Sequence, residues 1–578
     1  MKTGERLRVA QAPAKPLMLF DGDCHFCRRW IERWRETTSG EVDYAPFQEV
    51  GAQFPEIPRE NCERAVQFIE KDGTVVSGAE AVFRSLRYGR GPKWLAGAYD
   101  RVPGCAAVTE TAYGFVARNR MLASWGTRLL WGKDVRRPSY SITRQVFLRA
   151  LGLIFLIAFV SLWTQVDGLI GANGVSPVAT FLPAAQEQLG ARATYVLPTL
   201  CWLNSSDQFL HVLCGAGVAF SLLLIAGILP ALALLLLFVC YLSLTIAGQT
   251  FLSFQWDILL LETGFLAIFF APWSWRLNSK REPPVSSAAL FLLKLLLFKL
   301  MFMSGVVKLT SGDESWWDLT AMNYHYLTQP LPTVLGWWAH QAPHWLQKFS
   351  TGFTLFAELV VPFLIWMPRR ARLLGAGLLI GLQVMIGLTG NYAFFNLLTI
   401  VLCLLLIDDA VWRKLVGRDS VEPESCGRLL SGSTESRPTA AVARFAAIAV
   451  LVATLPLNAL LIFTAFKPEA LPPRALVTFK DLVEPYHIVN GYGLFRVMTK
   501  TRPEIVLEGS ADGIDWLPYE FKWKPGDLQN APRRVAPHQP RLDWQMWFAA
   551  LGTYRQNYWL LGLCDRLLEN SPEVVALL

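Results

Sequence analysis

The sequence predicts a mainly α-helical polytopic membrane protein, with a small α/β domain at its N-terminus and a small β-rich domain at its C-terminus. Three observations carry this. Of 578 residues, 53% are hydrophobic and 17% charged, where a soluble chain carries about a quarter charged. About nine apolar runs approach the ~20 residues that a helix needs to cross a bilayer. The 22 Trp and 35 Phe supply the aromatic weight expected at membrane interfaces, and the mean hydropathy is +0.31.

Residues 1–15 read as a polar tail without the apolar core and cleavage site of a signal peptide. Residues 16–137 read as a compact α/β domain. Leu17-Met18-Leu19-Phe20 is a strand, and a helix begins near Cys24 and runs past Trp34. Val66-Gln67-Phe68-Ile69 is a second strand, which turns at Lys71-Asp72-Gly73 and returns through Thr74-Val75-Val76. Helices at 79–88 and 106–123 cover the sheet. The membrane domain spans 140–466, with apolar runs near 145–164, 209–229, 231–248, 254–271, 288–307, 350–367, 371–390, 391–407 and 443–466. The pair meeting at Gly390-Asn391 has almost no loop, so one of the two is a candidate for half-insertion. Residues 419–440 form a Ser/Glu/Arg-rich linker. Residues 467–578 form the β-rich domain: strands at 504–508 and 519–523 flank a turn at 511–513, and a helix covers 554–568.

Charge sets the expected topology. Arg136, Arg137 and Arg144 precede the first run, and Arg276, Lys280 and Arg281 follow the fourth. Arg369, Arg370 and Arg372 follow the sixth, and Arg413, Lys414, Arg418, Arg428, Arg437 and Arg444 follow the eighth. Strict alternation puts all of these on one side, and the loops at 165–208 and 309–349 are neutral or acidic. The positive-inside rule then places the N-terminal domain in the cytoplasm and the region after Lys467 outside. The net charge of +8 belongs to this asymmetry. Nucleic acid is not an expected partner, because no basic patch is interleaved with base-reading residues; the lipid bilayer is.

The ten cysteines form no disulfide framework. Two of them lie in Asp21-Gly22-Asp23-Cys24-His25-Phe26-Cys27. A cysteine at a helix N-terminus feels the helix dipole, which favours thiolate, and a second one turn on can resolve a mixed disulfide. Cys24, Cys27 and Asp23 are therefore candidate catalytic residues, with a thiol redox partner implied. Half a zinc site is the alternative, but no second Cys/His pair follows at metal spacing. His340 and His344 are separated by Pro343, which disfavours a helical pair of ligands, so neither metal nor cofactor is expected. This stretch resembles the DCC family of thiol-disulfide oxidoreductases over residues 16–125, including the ending Ala112-Tyr113-Gly114-Phe115-Val116-Ala117-Arg118-Asn119-Arg120. The resemblance implies a thioredoxin-like fold. The chain departs from thioredoxins at Glu63-Arg64-Ala65, where those proteins place a cis-proline.

The runs also hold charge. Asp257 and Glu262 lie in the fourth, Lys294, Lys299 and Lys308 in the fifth, and Glu358 in the sixth. Intramembrane ions normally pair or line a cavity. At about 1.5 Å per residue, antiparallel neighbours put Glu262 and Lys299 at similar depth below the outer surface, and Asp257 and Lys308 near it. Two readings stand: ion pairs that fix packing, and a polar cavity open to the outside. Lys294 snorkels inward. The loop at 309–349, with Trp316, Trp317 and His325, reads as an interfacial aromatic belt or as a surface for a client or lipid.

The stretch Gln255-Trp256-Asp257-Ile258-Leu259-Leu260-Leu261-Glu262-Thr263-Gly264 resembles the lipase maturation factor family. So do residues 304–313, Asn323-Tyr324-His325-Tyr326 with Gln329-Pro330-Leu331-Pro332, Gly390-Asn391-Tyr392-Ala393-Phe394-Phe395-Asn396, and 537–547, which contains Arg541 and Asp543. The similarity covers 140–578. It implies a membrane factor that helps secreted lipases fold and assemble, with Trp316, Trp317, His325, Arg541 and Asp543 as candidate client-surface residues. Family members in eukaryotes reside in the endoplasmic reticulum membrane. The N-terminal head, absent from animal members, suggests a bacterial chain in the inner membrane. The membrane core is also distantly similar to the vitamin K-dependent carboxylase group, which leaves a membrane enzyme acting in an outward cavity as the second reading. A redox relay from head to outside is unsupported, since no second cysteine pair lies at the outer ends of the runs.

Overall fold

The computed structural model describes residues 7–89, 93–132, 134–278, 282–415 and 438–578, with the backbone alone at 438–440. Residues 1–6 of the expected tail, Lys280, Arg281, Arg418, Arg428, Arg437 and the linker at 419–437 lie outside them. The chain divides into two compact units, Met1–Pro138 with Met367–Arg372, and Ser139–Trp366 with Leu373–Leu578.

In the head, β1 (Leu17–Phe20) leads into α1 (His25–Thr38), which carries the chain back to β2 (Asp43–Pro46). β2 pairs parallel to β1, a pairing that needs such a crossover. β3 (Gln67–Ile69) and β4 (Val75–Ser77) add antiparallel on the other side, giving the order β2-β1-β3-β4, a thioredoxin-like sheet. Their turn depends on Gly73 at φ +81° and on Asp72, whose carboxylate accepts from the Thr74 N–H at 3.0 Å. Alternation along the strands builds a core on each face. Met18, Phe20, Phe68 and Val76 pack with Ile31 of α1, while Leu19, Ile69 and Val75 face Phe47, Phe54 and Cys62. The head also holds the helices α2 (Gly78–Ser85), α3 (Cys105–Arg118) and α4 (Arg120–Trp131), with shorter ones at Phe47–Val50, Arg59–Arg64 and Lys93–Arg101.

In the second unit, seven helices among the described residues are long and apolar enough to cross a bilayer. They are α5 (Ser141–Trp163), α6 (Asp207–Ala226), α7 (Pro230–Ala247), α9 (Ser287–Leu309), α10 (His344–Trp366), α11 (Arg369–Thr389) and α13 (Ala441–Phe466). The other two predicted runs form shorter helices. α8 (Gln255–Phe270) has 16 residues, and α12 (Phe395–Leu404) has 10 and is bent by 101° from the helix after it. Crossing the apolar core in helical form satisfies every backbone group internally. Close approach is used where it is needed: a Cβ on Gly217 of α6 would overlap the Phe159 ring of α5. The start of α5 is capped from a distance, because the Asp409 carboxylate accepts from the N–H groups of Ser141, Ile142 and Thr143 at 2.8–3.2 Å.

The C-terminal segment shares this unit instead of standing as a separate body. It contains α14 (Arg474–Val483), α15 (Arg541–Ala550) and α16 (Trp559–Leu568). The expected strands shrink to a ladder of Glu508–Gly509 with Leu517–Pro518. Pairing continues through the Tyr519 N–H, which donates to the Leu507 carbonyl at 2.8 Å, and ends beyond it, where the Trp523 and Lys524 N–H groups donate to Asp543 at 2.9 and 2.8 Å instead of to a partner strand.

Candidate functional site

The motifs scattered over residues 255–547 meet in one polar seam, where the C-terminal segment lies across the ends of the apolar helices. Arg541, first residue of α15, reaches Asp257 near the start of α8. Its Nη1 and Nη2 donate to the two carboxylate oxygens at 3.0 and 2.9 Å, and Nη1 also donates to the Phe251 carbonyl at 2.6 Å. The Tyr241 hydroxyl of α7 donates to the same carboxylate at 2.5 Å. Both charged side chains are 0% exposed, and the bidentate geometry with the added Tyr241 and Phe251 bonds offsets the cost of burying them, although Arg541 Nε is left without a partner among the described residues. One turn deeper in α8, Glu262 accepts from Lys299 of α9 at 2.6 Å. Its other oxygen accepts from the Asn490 backbone and side chain at 2.9 and 3.0 Å and from the Tyr492 hydroxyl at 2.7 Å. Lys308 binds both oxygens of Glu358 in α10 at 2.8 Å.

The remaining motifs serve the same seam. Asn391 accepts from the Val535 and Ala536 N–H groups at 2.9 and 3.0 Å and donates to the Arg533 carbonyl at 2.9 Å. The Tyr392 hydroxyl donates to Gln329 at 2.9 Å and lies 3.3 Å from His325 Nε2. The Phe495 ring sits edge-on against His325, with centroids 4.7 Å apart. Gln165 accepts from the Arg541 N–H at 2.9 Å. Trp256 stacks on Phe254 at 4.8 Å and meets Trp544 of α15 edge-on at 4.8 Å.

Two expectations change here. Asp257, Glu262, Lys299, Lys308 and Glu358 are buried and consumed in three ion pairs, so they do not line an open polar cavity. Trp316, His325, Arg541 and Asp543 are interior as well and cannot serve as a client surface; Trp317 is 65% exposed and can. Burial pushes the Asp543 carboxyl up to about 6, although two backbone N–H groups oppose this. Lys294 is buried, with its ammonium 3.1 Å from the Tyr140 hydroxyl. Tyr241, Asn490 and Tyr492 are site residues that the sequence does not single out. The signal for the last two was Asn490-Gly491-Tyr492-Gly493, a turn-like stretch carrying three donors toward one carboxylate.

The thiol site is built within the head. Cys24 caps the N-terminus of α1, and its sulfur accepts from the Cys27 N–H at 3.3 Å. The Cys27 thiol donates to Cys24 Sγ at 2.8 Å. Both cysteines are free. That bond lowers the Cys24 thiol to about 6, assisted by the backbone N–H groups of Cys27 and Phe26 and by the positive charge of Arg120, against the effect of burial. Cys27 moves upward, because it donates to Cys24, is more buried and faces the charge that forms there. Asp23 does not touch either sulfur; its carboxylate accepts from Gln48 at 3.2 Å, beside Asp21 at 2.9 Å.

The two units define a class: an α-helical membrane protein whose C-terminal segment is cofolded with the helix ends, preceded by a thioredoxin-like thiol head. A family model described as the lipase maturation factor transmembrane domain matches residues 142–414, and the lipase maturation factor C-terminal domain matches 488–578. The DCC1-like thiol-disulfide oxidoreductase model matches 18–125. The chain is 37% identical to lipase maturation factor 2 of Gallus gallus over 548 residues, covering 77% of this chain and 74% of that protein. It is 37% identical to lipase maturation factor 2 of Homo sapiens (75% and 76% covered) and 35% identical to lipase maturation factor 1 of Bos taurus (77% and 81% covered). No solved structure matches the chain. The chain belongs to the lipase maturation factor family and carries a DCC1-like head.

Proposed function

We propose that this chain assists the folding and assembly of a secreted client, a lipase, at the outer face of a bacterial inner membrane, while its head exchanges thiols in the cytoplasm. Family membership carries the first part: similarity covers the membrane helices and the segment clamped onto them, the parts that form the seam. The exposed Trp317 and its neighbours Trp337, Trp338 and Trp345 are the aromatic surface left for client or lipid. A lipase coexpressed with the chain should copurify with it in mild detergent; equal recovery on a resin lacking the chain would count against the reading. The enzyme reading loses its support because its charged residues are all paired.

The topology rests on the Arg/Lys asymmetry. A membrane-impermeant maleimide applied to intact cells should label the half-buried Cys564 and leave Cys24 untouched. Labelling of Cys24 from outside would invert the arrangement.

In the head, Cys24 is the nucleophile. Its thiolate attacks a partner disulfide, forming a Cys24–partner disulfide and expelling the partner's other sulfur as thiolate. Cys27 then attacks the Cys24 sulfur, releasing the partner's second thiolate and leaving Cys24–Cys27 oxidised. The partner gains two electrons and the head loses two. Cytosolic glutathione keeps most thiols reduced, so this direction suits a cytoplasmic partner and not a client across the membrane. Cys27→Ser should accumulate mixed disulfides at Cys24, and Cys24→Ser should accumulate none; equal trapping by both would overturn the assignment.

A further inference from the structure

Thioredoxins hold the segment before the third strand against the motif with a proline, and this chain has Glu63-Arg64-Ala65 there. Here Glu63 and Arg64 end a short helix, Arg59–Arg64, capped by the Ala65 N–H on the Asn61 carbonyl at 3.0 Å, and Ala65 and Val66, just before β3 starts at Gln67, border the Cys27 pocket. Arg120, first residue of α4, reaches the end of that helix. Its Nη1 donates to the Asp21 carboxylate at 2.9 Å. Its Nη2 donates to the carbonyls of Glu63 and of Arg64, the latter at 3.3 Å. Its Nε donates to the Ala117 carbonyl at 3.2 Å. One rigid fork therefore joins the motif loop, the end of the helix Arg59–Arg64 and the end of α3. The link continues to the nucleophile, since the Asp21 carbonyl accepts from the Cys24 N–H at 3.4 Å. From the same direction, the Tyr113 hydroxyl accepts from the Val66 N–H at 3.0 Å and holds the next residue.

We propose that Arg120 is the positioning residue of the thiol site, tying the end of the short helix Arg59–Arg64 that leads into β3 to the Cys24 loop and placing a fixed positive charge in the pocket that Cys27 lines. The proposal rests on Cys24 being the nucleophile. The titratable groups around that sulfur are Asp21 and Asp23 on the motif loop, His25 and Cys27 on α1, Tyr113 on α3 and Arg120 on α4. Arg120 is the cation that lowers both cysteines, and Asp21 acts against it at Cys27. A guanidinium serves both roles because its planar fork spans several acceptors while its charge is permanent; an ammonium supplies the charge alone.

The test is the pH profile of Cys24 alkylation in the full chain in detergent, read by mass spectrometry of the Cys24 peptide, together with the rate of exchange with oxidised glutathione. Arg120→Met should raise the alkylation midpoint by about one pH unit. Arg120→Lys should keep the midpoint near wild type while disulfide exchange slows roughly tenfold, because the charge stays and the fork is lost. An Arg120→Met midpoint equal to wild type would overturn the proposal. Should Arg120→Met fail to accumulate, Arg120→Lys decides: unchanged exchange would overturn it equally. A wild-type midpoint near the ordinary value of 9.0 would instead overturn the nucleophile assignment beneath it, so the two failures are distinguishable.

Discussion

Arg541→Met is expected to detach the C-terminal segment from the helices and to cost about 3–5 kcal/mol, against a total stability on the order of 5–15 kcal/mol. The reason is asymmetric. The substitution removes two charge-assisted bonds and leaves the Asp257 carboxylate with the Tyr241 hydroxyl as its remaining donor. That carboxylate is fully buried, and a buried charge without a counter-ion is far costlier than the pair was favourable. Arg541→Lys should fall between, because a single ammonium cannot donate to both oxygens and to the Phe251 carbonyl with the same planar geometry. The double change Asp257→Leu with Arg541→Met should recover part of the loss, since it removes both ions. Thermal unfolding in detergent and proteolysis of residues 467–578 measure this. A single variant that melts and digests like wild type would show that the segment is held without the Asp257–Arg541 pair, by its other hydrogen bonds and aromatic contacts.

Glu262→Gln is expected to have the second largest effect, again about 3–5 kcal/mol. Gln keeps the shape but removes the counter-ion of Lys299, which is 0% exposed and whose other close neighbour is the Tyr492 ring, 5.4 Å from its nitrogen. Lys299→Met should cost less, because Glu262 keeps the two Asn490 donors and the Tyr492 hydroxyl. The double variant should be more stable than the sum of the single losses predicts. Strictly additive losses would mean that the two residues do not act as a pair. Glu262 differs from Asp257 in what it reads out: its loss should free the loop around Asn490 while leaving α15 seated.

Much of this was legible in the sequence, for identifiable reasons. The head's β1 shows as an apolar quartet and β3 as a short run alternating about Gln67, and the helix after Cys24 carries Trp30 and Trp34 one turn apart, both half-buried. β2 was missed because Asp43-Tyr44-Ala45-Pro46 has no apolar alternation; as an edge strand it needs pairing with β1 alone and tolerates Pro46. The Glu262–Lys299 pair was accessible from depth arithmetic on two adjacent helices. Asp257 with Arg541 was not, since the partners are 284 positions apart and no periodicity links them. Arg120 was visible as a family-like ending, but its partners at Asp21 and Glu63 come from tertiary folding. The cavity expectation failed for the same reason. Sequence places the charges in the outer half of the helices, and only the fold reveals that a later segment covers them.

The central claim is that the outer face of this chain brings a secreted lipase to its active fold. The most direct test is the specific activity of such a lipase, measured as activity per mass of secreted protein, in cells with and without the chain. The claim predicts a several-fold lower specific activity without it, restored by the wild-type chain and by Cys24→Ser, whose head the proposed topology puts in the other compartment, but not by Arg541→Met. Equal specific activity in the presence and absence of the chain, with the lipase confirmed to pass through the same membrane, would contradict it.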